Sequence, residues 1–301
     1  MNIFVTGGTG FLGYHTIKRL LRSGYRVYAL SRQQHSILSN LKSESLSIIH
    51  GSLDQIDQLP VIPIDICLHF AWEGVNRIGV NDFDIQRKNV DNTLNLVRFI
   101  GRCQCKMLID SGSRQEYAPV DGMVTEDSIC LPPSEYGKWK LEAYHQTLAS
   151  IEIIKYVHLR IFSTYGFGDH PWSLINTCID SFLEGNPVSL GRCRHFWSFL
   201  YIDDFTDAIV SIISNINYIN ANTVYNLASG FIQPLQYFVG TIHSLTMSDS
   251  LLLYGDRQET EESTRSLIPD ISKINREIGW YEKVSFPQGI KEIIEQKQSG
   301  N

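Results

Sequence analysis

At 301 residues the chain is long enough for one large α/β domain, or one plus a smaller lobe. Its net charge of -6 argues against a nucleic-acid or anionic-membrane partner, because both require a basic face. No apolar run approaches the roughly 20 residues of a membrane span. Met1 leads almost directly into an apolar run, so no signal peptide is expected. The six cysteines are scattered, and Cys103 and Cys105 are separated by one residue, which is not a zinc spacing. They read as free thiols in a reducing cytoplasm, with no metal site.

In chain order, an apolar strand at residues 3–5 meets Gly7, Gly8, Gly10 and Gly13. A helical pattern begins at Phe11 and Leu12, with Leu12, Ile17, Leu20 and Leu21 on one face. Strand, glycine turn and helix in that order form a phosphate cradle. Gly7 and Gly8 allow the turn, Gly10 lets a pyrophosphate reach the backbone, and Gly13 lets the helix pack close. The helix start supplies N–H groups and partial positive charge. Residues 25–30 read as a second strand ending at Ser31 and Arg32, beside an adenosine ribose. An acidic residue there would bond the 2′-hydroxyl, whereas an Arg accommodates a 2′-phosphate, so Arg32 points to NADP(H). A solvated surface Arg is the plain alternative.

A third strand at 46–50 precedes Ser52, Leu53 and Asp54; the Asp either faces the adenine or closes a turn. A buried strand at 64–71 brings Phe70, Ala71 and Trp72 toward the same ligand, and Asn89 starts a helical stretch to residue 100. A fifth strand at 106–109 ends in a polar run from Asp110 to Tyr117 that includes Ser111 and Ser113. Ligands bind outside the carboxyl ends of such strands. Ser134 is a plausible N-cap for a helix carrying Tyr136 and Lys140. Beyond it lie a strand at 159–162, a helix at 173–184 and a strand at 188–190. Asp203 or Asp204 is expected to start a helix through 213, followed by a strand at 223–228 and a last helix at 287–296. The alternation predicts an α/β fold, a doubly wound parallel sheet covered on both faces.

Tyr136 and Lys140 are four residues apart and share a helix face. A free tyrosine titrates near 10, too high for proton transfer at neutral pH; a nearby ammonium is expected to lower that value. The Ser113 hydroxyl would bond the same carbonyl oxygen while hydride arrives from a nicotinamide, and Tyr136 would give the proton.

Gly7, Gly10, Gly13, Ser113, Tyr136, Lys140, Leu159-Arg160, Tyr165-Gly166, Asp204, Tyr225-Asn226 and the tail from Asp270 to Trp280 resemble the extended short-chain dehydrogenase/reductases. More closely they resemble the nucleotide-sugar epimerase/dehydratase/reductase family, over nearly the whole chain. The resemblance implies a Rossmann-type NADP-binding domain at 1–165, with a return segment near 203–230. It implies a small C-terminal α/β lobe, 166–202 and 231–301, that holds a nucleoside diphosphate sugar. It further implies that Lys140 contacts the nicotinamide ribose, and a homodimer formed through helices near 82–101 and 136–150.

Departures from the family pattern narrow the reaction. The family's 4,6-dehydratases carry an Asp-Glu pair directly after the position of Ser113; here Arg114 and Gln115 stand there and cannot supply that acid and base. The family's 4-epimerases keep NAD bound and usually have an acidic residue at the second strand end. Arg32 therefore favours an NADPH-dependent 4-ketoreductase acting on a CDP-, dTDP- or GDP-linked 4-keto-6-deoxyhexose, as in O-antigen synthesis. The alternatives are a 4-epimerase with the same triad, or a catalytically silent NADP-binding module. Trp197 replaces an Arg that contacts the sugar nucleotide in many members; Arg192 and Arg194 lie nearby as candidates to supply the charge, and the resemblance places another diphosphate-binding Arg at Arg257, a plain surface charge being the alternative for each. His170 and Cys193 invite comparison with members that also epimerise, but nothing in the sequence fixes the Cys in place.

Overall fold

The computed structural model describes residues 1–76, 78–259 and 264–299. The apolar runs of the first half become the parallel strands β1 (Asn2–Thr6), β2 (Arg26–Ser31), β3 (Leu46–His50), β4 (Ile66–His69) and β5 (Met107–Ser113). Between them run α1 (Phe11–Arg22) and α2 (Phe83–Arg102). The short β6 (Gly122–Val124), α3 (Glu135–Ser150) and β7 (Lys155–Ile161) follow. The chain continues through β8 (Thr164–Tyr165), α4 (Leu174–Leu183), β9 (Val188–Leu190), β10 (Phe196–Trp197) and β11 (Leu200–Tyr201). It ends with α5 (Ile202–Ser214), β12 (Asn222–Leu227), β13 (Gln233–Pro234), α6 (Leu235–Thr246), β14 (Leu252–Tyr254), β15 (Leu267–Pro269), α7 (Ser272–Ile278) and α8 (Phe286–Gln298).

Seven strands form one parallel sheet in the order β12-β7-β5-β4-β1-β2-β3. The chain winds outward from β1 through β2 to β3, then returns to β4 and winds the other way. The ligand crevice of such a sheet opens at the carboxyl ends of β1 and β4, where the winding reverses. Ile3, Val5, Leu68 and Ile109 are fully buried on one face, and Phe4, Cys67 and Leu108 on the other, so the strands read as continuous apolar runs. Among the described residues no helix is long and apolar enough to cross a membrane. All six cysteines are free thiols.

Several boundaries differ from the sequence reading for tertiary reasons. The strand expected at 64–71 is only Ile66–His69, because its neighbour β1 ends at Thr6, the register partner of His69. The fifth strand runs on to Ser113, because β7 pairs alongside it as far as Ile161. Neither Asp203 nor Asp204 caps α5, which starts at Ile202. The Asp204 carboxylate instead accepts the backbone N–H groups of Lys283 and Val284, both at 2.9 Å, and ties the last loop to this helix. The strands β6, β13, β14 and β15 are too short to announce themselves by alternation.

Candidate active site

The glycine turn after β1 is built as its spacing suggests. Gly7 has φ +71°, and a Cβ there would stand 2.5 Å from the Ala71 nitrogen; a Cβ on Gly13 would stand 2.3 Å from the Gly7 carbonyl oxygen. Only glycines allow β1, β4 and the start of α1 to approach this closely. The N-terminal turn of α1, capped by Gly10, presents N–H groups toward the crevice.

Two adjoining cavities, of about 240 and 470 Å³, share Gly7, Gly10, Phe70 and Trp72 and form one groove over the carboxyl ends of the strands. The smaller is lined also by Ser31, Arg32, Ser52, Leu53, Asp54, Ala71, Glu73, Lys88 and Asn89. The larger is lined by Phe11, Leu12, Gly13, Ser111, Ser113, Arg114, Gln115, Tyr136, Lys140, Ser163 and His170. All the residues expected at a dinucleotide thus meet in one groove, whose glycine cradle leaves room for a pyrophosphate and fits that group. Asn89 fixes the groove wall: its side chain accepts from Glu73 N at 2.9 Å and donates to Glu73 O at 3.0 Å.

At the end of the groove expected to take the adenosine, the sequence reading named Arg32 and Asp54 but not the acidic partner of Arg32. The Arg32 guanidinium is paired with Glu73, and both are exposed. Asp54 sits in a 3-10 turn, Leu53–Gln58, where the Ser52 hydroxyl, with Lys88 and Arg32 further off, holds its carboxyl below the usual range. This end carries both signs of charge.

At the other end Ser113 closes β5, and α3 is started by Ser134, whose hydroxyl accepts Gly137 N at 3.1 Å and donates to Gln115 at 2.9 Å. The cap fixes the helix that carries Tyr136 and Lys140. Lys140 is buried; its ammonium donates to the Ser111 carbonyl at 2.5 Å and lies 3.8 Å from the Trp72 ring centroid. Burial drives it down to about 8, against the pull of Asp110 and Glu116.

Tyr136 departs from expectation. Burial pushes its phenol up to about 12; Ser113 and Arg114 pull it down, while Glu116 and Asp110 push it up. The Lys140 nitrogen is 5.9 Å from the Tyr136 ring centroid, and desolvation outweighs what that ammonium supplies.

Beneath this site lies a charge cluster that sequence reasoning missed. His158 Nε2 is 3.0 Å from Glu116 Oε2, and His158 Nδ1 is 3.3 Å from Asp110 Oδ2. Arg160 Nε donates to Glu116 at 3.1 Å, and the Tyr156 hydroxyl donates to Asp110 at 3.0 Å. Burial alone would lower His158, but the two carboxylates raise it to about 9; His158 and Arg160 in turn hold Glu116 below its usual range despite burial. One signal was available: His158 and Arg160 alternate on one face of an otherwise apolar strand.

The expected sugar-side residues are not gathered to the same degree. Arg192 and Arg257 share an exposed cleft of about 470 Å³ with Glu259, whose carboxylate accepts the Arg192 backbone N–H at 2.6 Å. Arg194 is exposed and lines neither the groove nor this cleft. Trp197 donates to Ser163 at 3.0 Å and stacks under the Arg114 guanidinium, 4.2 Å from the ring centroid. Its approach to the groove therefore runs through Ser163 and Arg114. Cys193 is buried, and His170 is exposed and stacked on Trp172. They are held by different surroundings. Residues 260–263, within the charged stretch from Arg257 to Arg265, lie outside the described residues.

Residues 3–228 match the family described as the NAD dependent epimerase/dehydratase family. A UDP-glucose 4-epimerase of Cyamopsis tetragonoloba is 31% identical over 46% of this chain; the match spans 44% of that protein. A CDP-abequose synthase of Yersinia pseudotuberculosis is 23% identical over 87% of this chain and 90% of its own. The crystal structure of a UDP-glucose 4-epimerase from Thermotoga maritima with UDP-glucose superposes with a TM-score of 0.87 at 22% identity, covering 100% of this chain and 99% of its own.

Proposed function

Since the chain belongs to the NAD dependent epimerase/dehydratase family, we propose that it is an NADPH-dependent reductase of a nucleotide-linked 4-keto-6-deoxyhexose. The observation that carries this reading is the larger cavity, where Ser113, Tyr136 and Lys140 converge while Arg114 and Gln115 occupy the positions from which a dehydratase would need two carboxylates. Glu116, the nearest following carboxylate, is buried and engaged by His158, Arg160 and the Ser113 backbone, so it cannot serve as that base.

Gly7, Gly10, Phe11, Leu12 and Gly13 would hold the pyrophosphate. Ser31, Arg32, Ser52 and Leu53 would hold the adenosine end, and Phe70, Ala71, Trp72, Asn89, Ser111 and Lys140 the nicotinamide half. When bound, NADPH supplies the hydride. Ser113 orients the sugar carbonyl, and Tyr136 gives a proton to its oxygen. Lys140, held by Ser111, anchors the nicotinamide ribose and keeps positive charge beside the phenol. Arg32 and Lys88 support the phosphorylated cofactor; the Glu73 partner of Arg32 must be exchanged for the 2′-phosphate. Residues 1–165 with 203–230 act as the cofactor-binding unit, and 166–202 with 231–301 as the sugar-nucleotide lobe, where Arg192 and Arg257 engage the diphosphate. The similarity to a CDP-abequose synthase makes a CDP-linked sugar the first substrate to try. Two copies would pair through α2 and α3, along which Phe83 is 53% exposed and edge-on to Trp139. This chemistry would suit a place in glycan-donor synthesis, with the cytoplasm as the proposed compartment.

The second reading, a 4-epimerase that retains its cofactor, is supported by the mixed charge at the ribose end and by the UDP-glucose 4-epimerase relative. The test is NADPH and NADH consumption with CDP-, dTDP- and GDP-linked 4-keto-6-deoxyhexoses. Stoichiometric loss of NADPH with one sugar is expected. No loss with any keto sugar, together with inversion at C4 of a nucleotide-linked hexose that carries a C4 hydroxyl, such as UDP-glucose, would replace this reading by the epimerase.

A further inference from the structure

The cluster of Asp110, Glu116, His158 and Arg160 has no role in the chemistry assigned above, and it is an expensive way to fill a core. The side chains of Glu116 and His158 are wholly buried, and those of Asp110 and Arg160 nearly so. Such clusters are often no more stabilising than apolar packing of the same volume. Its geometry meets the reacting groups at two points. The Ser113 backbone N–H donates to Glu116 Oε1 at 2.6 Å. The strand also lies directly on the ion pair: a Cβ on Gly112 would stand 2.3 Å from His158 Nε2 and 2.6 Å from Glu116 Oε1.

We propose that Glu116 is a positioning residue of the site: clamped by His158 and Arg160, its carboxylate fixes the backbone that presents Ser113 and, with Asp110, supplies the negative charge that keeps the buried Lys140 an ammonium. This rests on Ser113, Tyr136 and Lys140 being the reacting site. Lys140 reaches this cluster through its 2.5 Å bond to the Ser111 carbonyl, on the same strand between Asp110 and the Ser113 N–H that Glu116 accepts; the groups acting on it come from four elements, Asp110 on β5, Glu116 on the turn after it, Tyr136 on its own helix α3 and His69 on β4. His158 stands behind the two carboxylates and offsets part of their field.

The two halves of the ion pair therefore act on Lys140 with opposite sign. Glu116→Gln keeps the shape and an acceptor for Ser113 but removes negative charge; both Lys140 and Tyr136 then lose their protons more readily. His158→Gln removes the positive charge and leaves the carboxylates less compensated. The experiment is the pH profile of turnover and of NADPH affinity, the latter read by nicotinamide fluorescence, for the full-length protein and both variants. Native circular dichroism confirms the fold of each.

For Glu116→Gln, kcat is expected to fall about tenfold with KM for the sugar within about threefold, since the contact acts on orientation rather than on binding. The alkaline limb is expected to move down by about one pH unit in Glu116→Gln and up in His158→Gln. Limbs that stay at the wild-type position, or that move the same way in both variants, would overturn the proposal; either folded variant is decisive alone. The affinity profile needs no sugar turnover. If the wild type reduces no keto sugar but the limbs of NADPH affinity still separate, the substrate assignment fails and the positioning role stands.

Discussion

The glycine-built groove and the separate cleft proposed for the sugar nucleotide are built on different principles. Around Gly7, Gly13, Ser113 and Lys140, backbone is packed against backbone and the polar groups are buried and paired. Around Arg192, Arg194 and Arg257, the cations stand in solvent on connecting segments. A cradle formed by close main-chain approach accepts almost no substitution. An exposed loop exchanges its side chains freely, which is how one scaffold serves several sugars.

The sharpest way to break this contrast is Tyr136→Phe. It should lower turnover by about 10²–10⁴-fold while NADPH still binds, because only the proton donor is lost. Retained turnover would remove Tyr136 from the chemistry. Gly13→Ala comes next. The added methyl meets the Gly7 carbonyl, so a stability loss of about 1–3 kcal/mol by thermal unfolding is expected, together with a clear loss of NADPH affinity. At the cleft, Arg257→Ala should raise KM for the sugar nucleotide by roughly tenfold or more, the worth of a charge-assisted hydrogen bond, with kcat kept. Arg194→Ala should leave both constants unchanged. An equal effect of the two would erase the distinction drawn between them.

A pH scan of unfolding tests the buried side. His158 is raised to about 9, so its stabilisation is complete below its ordinary 6.5 and is lost as pH climbs through about 9. The lowered carboxyls of Asp110 and Glu116 stabilise above their ordinary 3.8 and 4.5, and that share is lost in acid. Tm should therefore decline from near-neutral pH toward 9, and His158→Gln should flatten that decline. A smaller loss is expected of Ser134→Ala, which removes the α3 cap and should cost about 1 kcal/mol, with a modest loss of activity as Tyr136 and Lys140 loosen.

Much of the site was legible from sequence because its signals are local. The strand, glycine turn and helix of residues 2–22 lie next to one another in the chain, and four-residue spacing puts Tyr136 and Lys140 on one face. Helix placement was good in α4 and α5, whereas α2 begins at Phe83, six residues before the apolar spacing read from Asn89. The two-residue and three-residue strands of the second half carry no such pattern. The expected lowering of Tyr136 failed for a related reason. Spacing reports the neighbour in the helix, but not the burial supplied by the strands and loops around it.

The sequence by itself determined the strand, glycine turn and helix of residues 2–22 and the shared helix face of Tyr136 and Lys140, because those features depend on neighbours in the chain. Only the tertiary structure decided that Arg32 faces Glu73, that Arg114 stacks on Trp197, and that Glu116, His158 and Asp110 stand in line under Ser113. Arg32 and Glu73 are 41 residues apart in the chain, and Glu116 and His158 are 42 apart. Such partners meet through parallel register, Asp110 against His158 and Gly112 against Arg160, and through the packing of the loops above the sheet. Electrostatics among buried groups depends on distance and desolvation, and neither is set by order along the chain.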